Sequence, residues 1–296
     1  MKILVVGGTG MIGGHAALHL QAKGHQVAIA GRNAPVPGTP LGELEFRRID
    51  YIEDTDPTLS GFDALVFAAG NDIRHLPQGA GAAAHWQRAN TEAVPRFFAA
   101  ARAAGVRHAV QIGSFYPQAQ PALVETNPYV RSRKLADDGA RALNGENFRV
   151  ISVNAPFVLG AVPGLVVGMF KAYTDYALGR MAPMPEFAPP GGVNFISTRS
   201  LSEAVEAALL NGQAGEAYLV GDENLSFGDY FGAFFRAAGR APPPVLDQEH
   251  PLLPDAAIYF GRGNTLYYEP DTRLAYRRGD VLATIGEIVA QYRGTA

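Results

Sequence analysis

The start of this chain restricts its fold more than any other stretch. Lys2-Ile3-Leu4-Val5-Val6 has the length and β-branched content of a strand. It runs directly into Gly7-Gly8-Thr9-Gly10-Met11-Ile12-Gly13, then into a helical pattern that ends near Lys23-Gly24. A second apolar run, Val27-Ala28-Ile29-Ala30, stops at Gly31-Arg32-Asn33. Strand, glycine turn, helix and strand make a βαβ unit whose helix N-terminus is a site for a phosphate group. Each glycine has a physical task in such a unit. Gly7 permits the tight turn, Gly10 lets the backbone approach a pyrophosphate, and Gly13 lets the helix pack against the strand. Thr9, Met11 and Ile12 complete the turn and the first helical residues.

The end of the second strand discriminates between two dinucleotides. A site for NAD commonly presents an acidic residue about 20 residues after the glycines, bonded to the ribose 2′-hydroxyl. Here that place holds Gly31, followed by Arg32. A carboxylate would repel a 2′-phosphate, whereas a guanidinium binds it bidentately. NADP is therefore the expected cofactor, with NAD as the alternative. The plainer reading of Arg32 is a solvated loop residue.

The remaining chain alternates in the same way. Strands are expected at 45–49, 64–68, 108–112 and 149–153, with helices over 82–104 and 129–143. Alternation of this kind gives parallel strands with right-handed crossovers, and ligands bind at the carboxyl ends of such strands. The fold class is α/β, a Rossmann-type doubly wound parallel sheet with a smaller C-terminal lobe. Residues 1–160 form the dinucleotide-binding domain, with the sheet completed by 193–222. Residues 161–296 are mainly a substrate-binding lobe, helical at 168–178, 200–210, 226–238 and 279–292.

Composition excludes several classes. The 296 residues are 47% hydrophobic and 18% charged, enough for a large core and too apolar for disorder. The formal net charge of −3 comes with no basic block, which excludes nucleic acid as an expected partner. The absence of cysteine removes disulfides, thiolate metal sites and cysteine nucleophiles. Ile151 to Phe170 carries no charge, but Asn154, Pro156, Gly160, Pro163 and Gly164 break it into short pieces. No membrane partner, no signal peptide and a soluble cytoplasmic protein are expected. The histidines show no metal spacing. His15 and His19 read as surface residues, and Asp137-Asp138 as a solvated helix face.

Taken together, these residues resemble the extended short-chain dehydrogenase/reductase family, also called the NAD-dependent epimerase/dehydratase family, over nearly the whole chain. Its glycine motif matches Gly7 to Gly13. The resemblance implies that Asp50, with Tyr51 beside it, lies near the adenine. It places Ala68-Ala69-Gly70 after the fourth strand, Asn90 in the long helix, and Pro156-Phe157 near the nicotinamide. The family also uses a tyrosine with a lysine four residues on, plus a serine or threonine after the fifth strand. Tyr129 and Ser114 fill two of these places. Position 133 holds arginine, and Lys134 comes one residue later. A tyrosine's ordinary pKa of about 10 is high for acid–base work at neutral pH, and a neighbouring cation favours the phenolate. Arg133 lies on the same helix face as Tyr129, and Lys134 about 100° further round. Arg133 supplies charge and hydrogen bonds but cannot shuttle a proton.

The leading expectation is an NADP-dependent oxidoreductase reducing a ketone or aldehyde of a small, largely apolar substrate. Tyr129 gives the proton, Ser114 orients the oxygen, and Tyr116 is a reserve donor. Ser114 read plainly is a turn cap, and Tyr129 a structural residue. Phe157, Phe170, Tyr173, Tyr176, Phe187 and Phe195 are expected to roof the pocket. A nucleotide-sugar epimerase or dehydratase, with Arg180 and Arg199 available to a diphosphate, is the second reading. A non-catalytic NADP-binding sensor or scaffold is the third. A small-molecule substrate and a homodimer complete the expected partners, and no metal is expected.

Overall fold

In a computed structural model, which describes residues 1–54, 57–76, 79 and 81–294, the first strand β1 (Lys2–Val6) lies inside a parallel sheet. Helix α1 (Met11–Ala22) leads to β2 (Gln26–Gly31), β3 (Glu45–Arg48) and β4 (Ala64–Phe67). Helix α2 (Ala82–Trp86) passes through a π-helical turn, Gln87–Glu92, into α3 (Ala93–Ala103). Then come β5 (His108–Ser114), the short α4 (Tyr116–Ala119) and α5 (Leu123–Thr126), α6 (Pro128–Arg141) and β6 (Arg149–Ala155). The later elements are β7 (Phe157–Leu159), α7 (Gly168–Ala177), β8 (Gly192–Ser197), α8 (Thr198–Asn211), β9 (Ala217–Leu219), β10 (Glu223–Ser226), α9 (Phe227–Ala237), β11 (Thr265–Leu266) and α10 (Val281–Arg293).

The main sheet has seven strands in the order β3-β2-β1-β4-β5-β6-β9, all parallel. Ala64-Leu65-Val66-Phe67 is buried throughout, because helices cover both faces of a parallel sheet. On one face Ala17 and Leu20 of α1 and Leu201, Ala204 and Val205 of α8 pack against β1 and β6. On the other, Val94, Phe97 and Phe98 of α3 and Ala136 and Ala140 of α6 pack against β4 and β5. Strand order reverses between β1 and β4, so the carboxyl ends of β1 and β4 open a crevice for a ligand.

Several expectations are corrected by this architecture. Only β9 from residues 193–222 completes the main sheet. Strand β8 belongs to a second sheet with β7, β10 and β11, which carries the C-terminal lobe. The helix expected over 82–104 is interrupted by its π turn. His15 and His19 are not surface residues: they bridge α1 to α8 through Ser202 Oγ and a Glu206 carboxylate oxygen, each at 2.7 Å. Burial, followed by the charge of His19, pushes the His15 imidazole down to about 4.

Asp137 is likewise no solvated residue. It is 8% exposed and accepts hydrogen bonds from Ser152 Oγ, Asn154 Nδ2 and the Arg141 guanidinium, joining α6 to β6. Asp138 carries the solvent-side bonds to Lys134 and Arg141. Removing a buried carboxylate strands the donors aimed at it. Asp137→Ala is expected to lower unfolding stability by about 3 kcal/mol in a denaturant titration. A loss below about 1 kcal/mol would mean that water replaces the carboxylate freely.

No helix among the described residues is long and apolar enough to cross a membrane.

Candidate functional site

The glycine turn lies at the carboxyl end of β1. Gly7 has φ +81° and its backbone touches Ala68 and Ala69, where an added Cβ would lie 2.9 Å from either. A Cβ on Gly13 would lie 2.4 Å from the Gly7 carbonyl oxygen, so helix and turn touch backbone to backbone. At Gly10 the situation is opposite. The nearest neighbour of an added Cβ is the Gly7 oxygen at 3.4 Å, and the rest is open space in front of the α1 N-terminus. These features fit a pyrophosphate: an open cradle at the N-terminus of a 12-residue helix.

Arg32 follows β2, is exposed, and forms no hydrogen bond or ion pair among the described residues. Gly31 before it is hemmed in by Thr9, whose Oγ1 would lie 2.8 Å from a Cβ there. Asp50 follows β3, its carboxylate accepting from the Ile52 N–H at 3.1 Å. Tyr51 does not contribute its side chain to this surface. Its ring meets Phe67 edge-on at 5.0 Å, and its hydroxyl accepts from Asn71 Nδ2 at 2.6 Å. Burial drives that phenol up to about 12. Asn90 is also corrected. It is fully buried in the π turn, and its amide is spent on the Asn71 backbone and on Ser132 Oγ. Asn90 therefore braces the segment after β4 against α6 from a fully buried position.

Helix α6 begins where the sequence demands it. Asn127 Oδ1 accepts from the Val130 N–H at 3.1 Å, and Pro128 occupies the first turn. Tyr129 is thereby held in that turn, between Trp86 edge-on at 5.4 Å and Tyr259 stacked at 4.9 Å. Arg133, four residues on, donates from Nη1 to the Tyr129 hydroxyl at 3.1 Å and from Nη2 to the Ile112 carbonyl at 3.2 Å. It is 9% exposed. Lys134 faces away and pairs with Asp138 at 2.5 Å. Ser114 closes β5, buried, on the same cavity as Tyr129 and Arg133.

That cavity, of about 530 Å³, runs from Met11, Ile12 and Ala68 at the glycine turn, past Gly70, Ser114, Pro156 and Phe157, into the C-terminal lobe. There it is walled by Tyr173, Phe195, Phe227, Tyr230, Leu252 and Tyr259. Of the expected roof, Phe157, Tyr173 and Phe195 line it. Phe170, Tyr176 and Phe187 are core residues of the lobe instead, Tyr176 donating to the Pro185 and Phe187 carbonyls at 2.9 Å. The segment around Leu252 to Tyr259 carries no periodic pattern that would mark it in the sequence. Its Pro251 and Pro254 were the available signal of a fixed irregular strap.

Among the described lining residues the cations are Arg74 and Arg133. Arg74 is engaged with Asp72 through Nε at 3.0–3.1 Å and Nη2 at 2.5 Å. Burial alone would raise Asp72, but hydrogen bonds from His75 and Arg74 hold its carboxyl well below the usual range. Arg180 and Arg199 lie elsewhere, paired with Asp175 and with Asp280 and Glu287. Tyr116 lines the cavity too. Its hydroxyl lies beside the Tyr259 backbone N–H without good hydrogen-bond geometry, and burial pushes the phenol well above its ordinary value. No group of three or more histidine, aspartate or glutamate side chains among the described residues is arranged to hold a metal ion.

Comparison with known proteins agrees with this construction. The fold superimposes on a UDP-glucose-4-epimerase from Stenotrophomonas maltophila solved with NAD and formylated UDP-arabinopyranose, at 16% identity over 100% of both chains and a TM-score of 0.76. It superimposes on the human epimerase family protein SDR39U1 (isoform 2) with NADPH, at 20% identity, covering 98% of this chain and 99% of that one, with a TM-score of 0.69. A UDP-N-acetylglucosamine 4-epimerase from Bacillus cereus gives 16% identity, coverage of 100% and 98%, and a TM-score of 0.72. At such identities the likeness is one of fold. No curated protein sequence matches this chain. The sequence profile of the NAD dependent epimerase/dehydratase family matches residues 3–221. With its glycine turn, its reversed strand order and that match, the chain belongs to the NAD dependent epimerase/dehydratase family.

Proposed function

We propose that this chain is an NADP-dependent oxidoreductase that reduces a ketone or aldehyde of a small, largely apolar substrate. The observation that carries this reading is the continuous cavity from the glycine turn to an aromatic chamber, with Tyr129 and Arg133 at the junction. When bound, the reduced nicotinamide would supply the hydride. The α1 N-terminus and the open cradle at Gly10 would hold the pyrophosphate, and Arg32 the 2′-phosphate. Tyr129 donates the proton to the substrate oxygen, and Ser114 orients that oxygen. Arg133 holds the Tyr129 hydroxyl in place and supplies a fixed positive charge beside it. Burial keeps the proton on Tyr116, which makes it a poorer acid for this step.

The nucleotide-sugar reading suits several fold neighbours, which are UDP-sugar 4-epimerases. The aromatic chamber weighs against it. A diphosphate needs unspent cations, and both arginines among the described lining residues, Arg74 and Arg133, are already engaged. The test is NADPH oxidation across a panel of small aromatic and aliphatic carbonyl compounds, run beside UDP-sugar epimerisation. Turnover of a UDP-sugar, with none of any carbonyl, would reverse the choice.

Cofactor preference is checked separately. Arg32→Ala should weaken NADPH about 10- to 100-fold while leaving NADH unchanged, since a hydrogen bond to a charged group contributes roughly 1.5–3 kcal/mol. Fluorescence titration of both cofactors measures it. Equal losses for both would place Arg32 away from the ribose.

A further inference from the structure

We propose that Gly70 is the positioning residue that makes arginine workable at position 133. This inference rests on the catalytic reading of Tyr129. A Cβ built on Gly70 would lie 2.9 Å from each of Cζ, Nη1 and Nη2 of Arg133, so the face of the guanidinium occupies the place a side chain at Gly70 would take. Its other side of the bargain is fixed by two hydrogen bonds, to the Tyr129 hydroxyl and to the Ile112 carbonyl. The two directional bonds hold that head group in the space a Gly70 side chain would fill. A guanidinium is a wide planar fork, whereas a lysine ammonium is a compact point charge at the end of a narrow stem. The space left by the missing side chain at Gly70 is thus required by the fork and would be idle beneath a lysine. The segment carrying Gly70 is itself braced, since Asn90 bonds both the N–H and the carbonyl of the next residue, Asn71. Gly70 therefore cannot drift away to make room.

The consequences for fold and for function separate. Gly70 does not have a left-handed φ, so its backbone accepts alanine. The atoms that must yield to a new methyl group belong to the far end of the Arg133 side chain, not to backbone. The substituted protein should fold normally and lose the placement of its cation. A displacement of about 1 Å in a group that orients the reacting atoms costs on the order of a hundredfold.

The test is a cycle of wild type, Gly70→Ala, Arg133→Lys and the double variant, with a crystal structure of Gly70→Ala. We expect the guanidinium to be withdrawn from the Tyr129 hydroxyl in that structure. We expect kcat to fall about a hundredfold and the melting temperature to stay within about 2 °C of wild type. In the Arg133→Lys background the same alanine should cost less than about twofold, because contacting residues couple and the coupling partner is gone. A guanidinium that remains on Tyr129 in Gly70→Ala would overturn the proposal. So would an alanine cost that is equal in both backgrounds. Tyr129→Phe, assayed alongside, separates the two readings. Full turnover in Tyr129→Phe brings down the catalytic assignment itself, whereas a dead Tyr129→Phe with an uncoupled cycle brings down the role of Gly70 alone.

Discussion

Tyr129→Phe should lower carbonyl reduction by about 10²- to 10⁴-fold, the range lost with a positioned general acid, while NADPH affinity stays nearly intact. The substitution removes one hydroxyl and keeps the ring. The stack on Tyr259 at 4.9 Å and the edge contact with Trp86 at 5.4 Å therefore survive, and the pocket keeps its shape. What disappears is the oxygen that accepts from Arg133 Nη1 at 3.1 Å. Arg133→Ala should damage turnover more broadly. It removes the cation beside the phenol and leaves the Ile112 carbonyl without its guanidinium donor. Arg133→Lys keeps the charge but cannot make both bonds from one fork, so it should fall between the wild type and Arg133→Ala. Lys134→Ala should be silent, since Lys134 is paired with Asp138 on the exposed side of α6. Steady-state NADPH oxidation with an active carbonyl compound reads all four. Undiminished turnover in Tyr129→Phe would sink the assignment and move attention to Tyr116.

How much of this site can be read in the sequence depends on how local its determinants are. The glycine turn is legible because each glycine answers a demand within the same βαβ unit: a positive φ at Gly7 and backbone contact at Gly13. The pairing of Tyr129 with Arg133, and the exclusion of Lys134, follow from helical spacing alone. Tyr51 and Asn90 are misjudged for a common reason. Sequence locates the segment but not the direction of the side chain, and the Asn71 amide that claims Tyr51 is 20 residues away. The strap that carries Tyr259 is the least legible part. Its place depends on His250, fully buried and packed 4.4 Å from the Phe231 ring, and on the Tyr173 hydroxyl donating to the Leu252 carbonyl at 3.1 Å. Both contacts join segments far apart in the chain, and neither leaves a periodic trace. Asp137 shows the same limit in the core. Two adjacent aspartates read alike, yet one faces β6 and the other faces water.

Gly10→Val should abolish NADPH binding while leaving the free protein folded. Gly10 caps α1 with φ −96° and ψ 175°, an extended conformation that valine adopts readily. An added Cβ meets only the Gly7 oxygen, at 3.4 Å, so the free structure has room for the first carbon of the side chain. That room is the approach path of the pyrophosphate to the first N–H groups of α1. Filling it holds the phosphates off those donors. Losing two hydrogen bonds to a charged group, at roughly 1.5–3 kcal/mol each, weakens binding by about two to four orders of magnitude. Gly13→Ala makes the instructive contrast. Its methyl group would lie 2.4 Å from the Gly7 oxygen and 2.7 Å from the Gly7 carbonyl carbon, both backbone atoms in a tight turn. Nothing flexible can yield there, so Gly13→Ala should lower the melting temperature as well as cofactor affinity. Fluorescence titration with NADPH and thermal unfolding of the two variants, side by side, distinguish a blocked site from a disrupted turn. Normal NADPH affinity in Gly10→Val would mean that the phosphates bind elsewhere. An unfolded Gly10→Val would mean that the space in front of α1 is not free and that the cradle is closed.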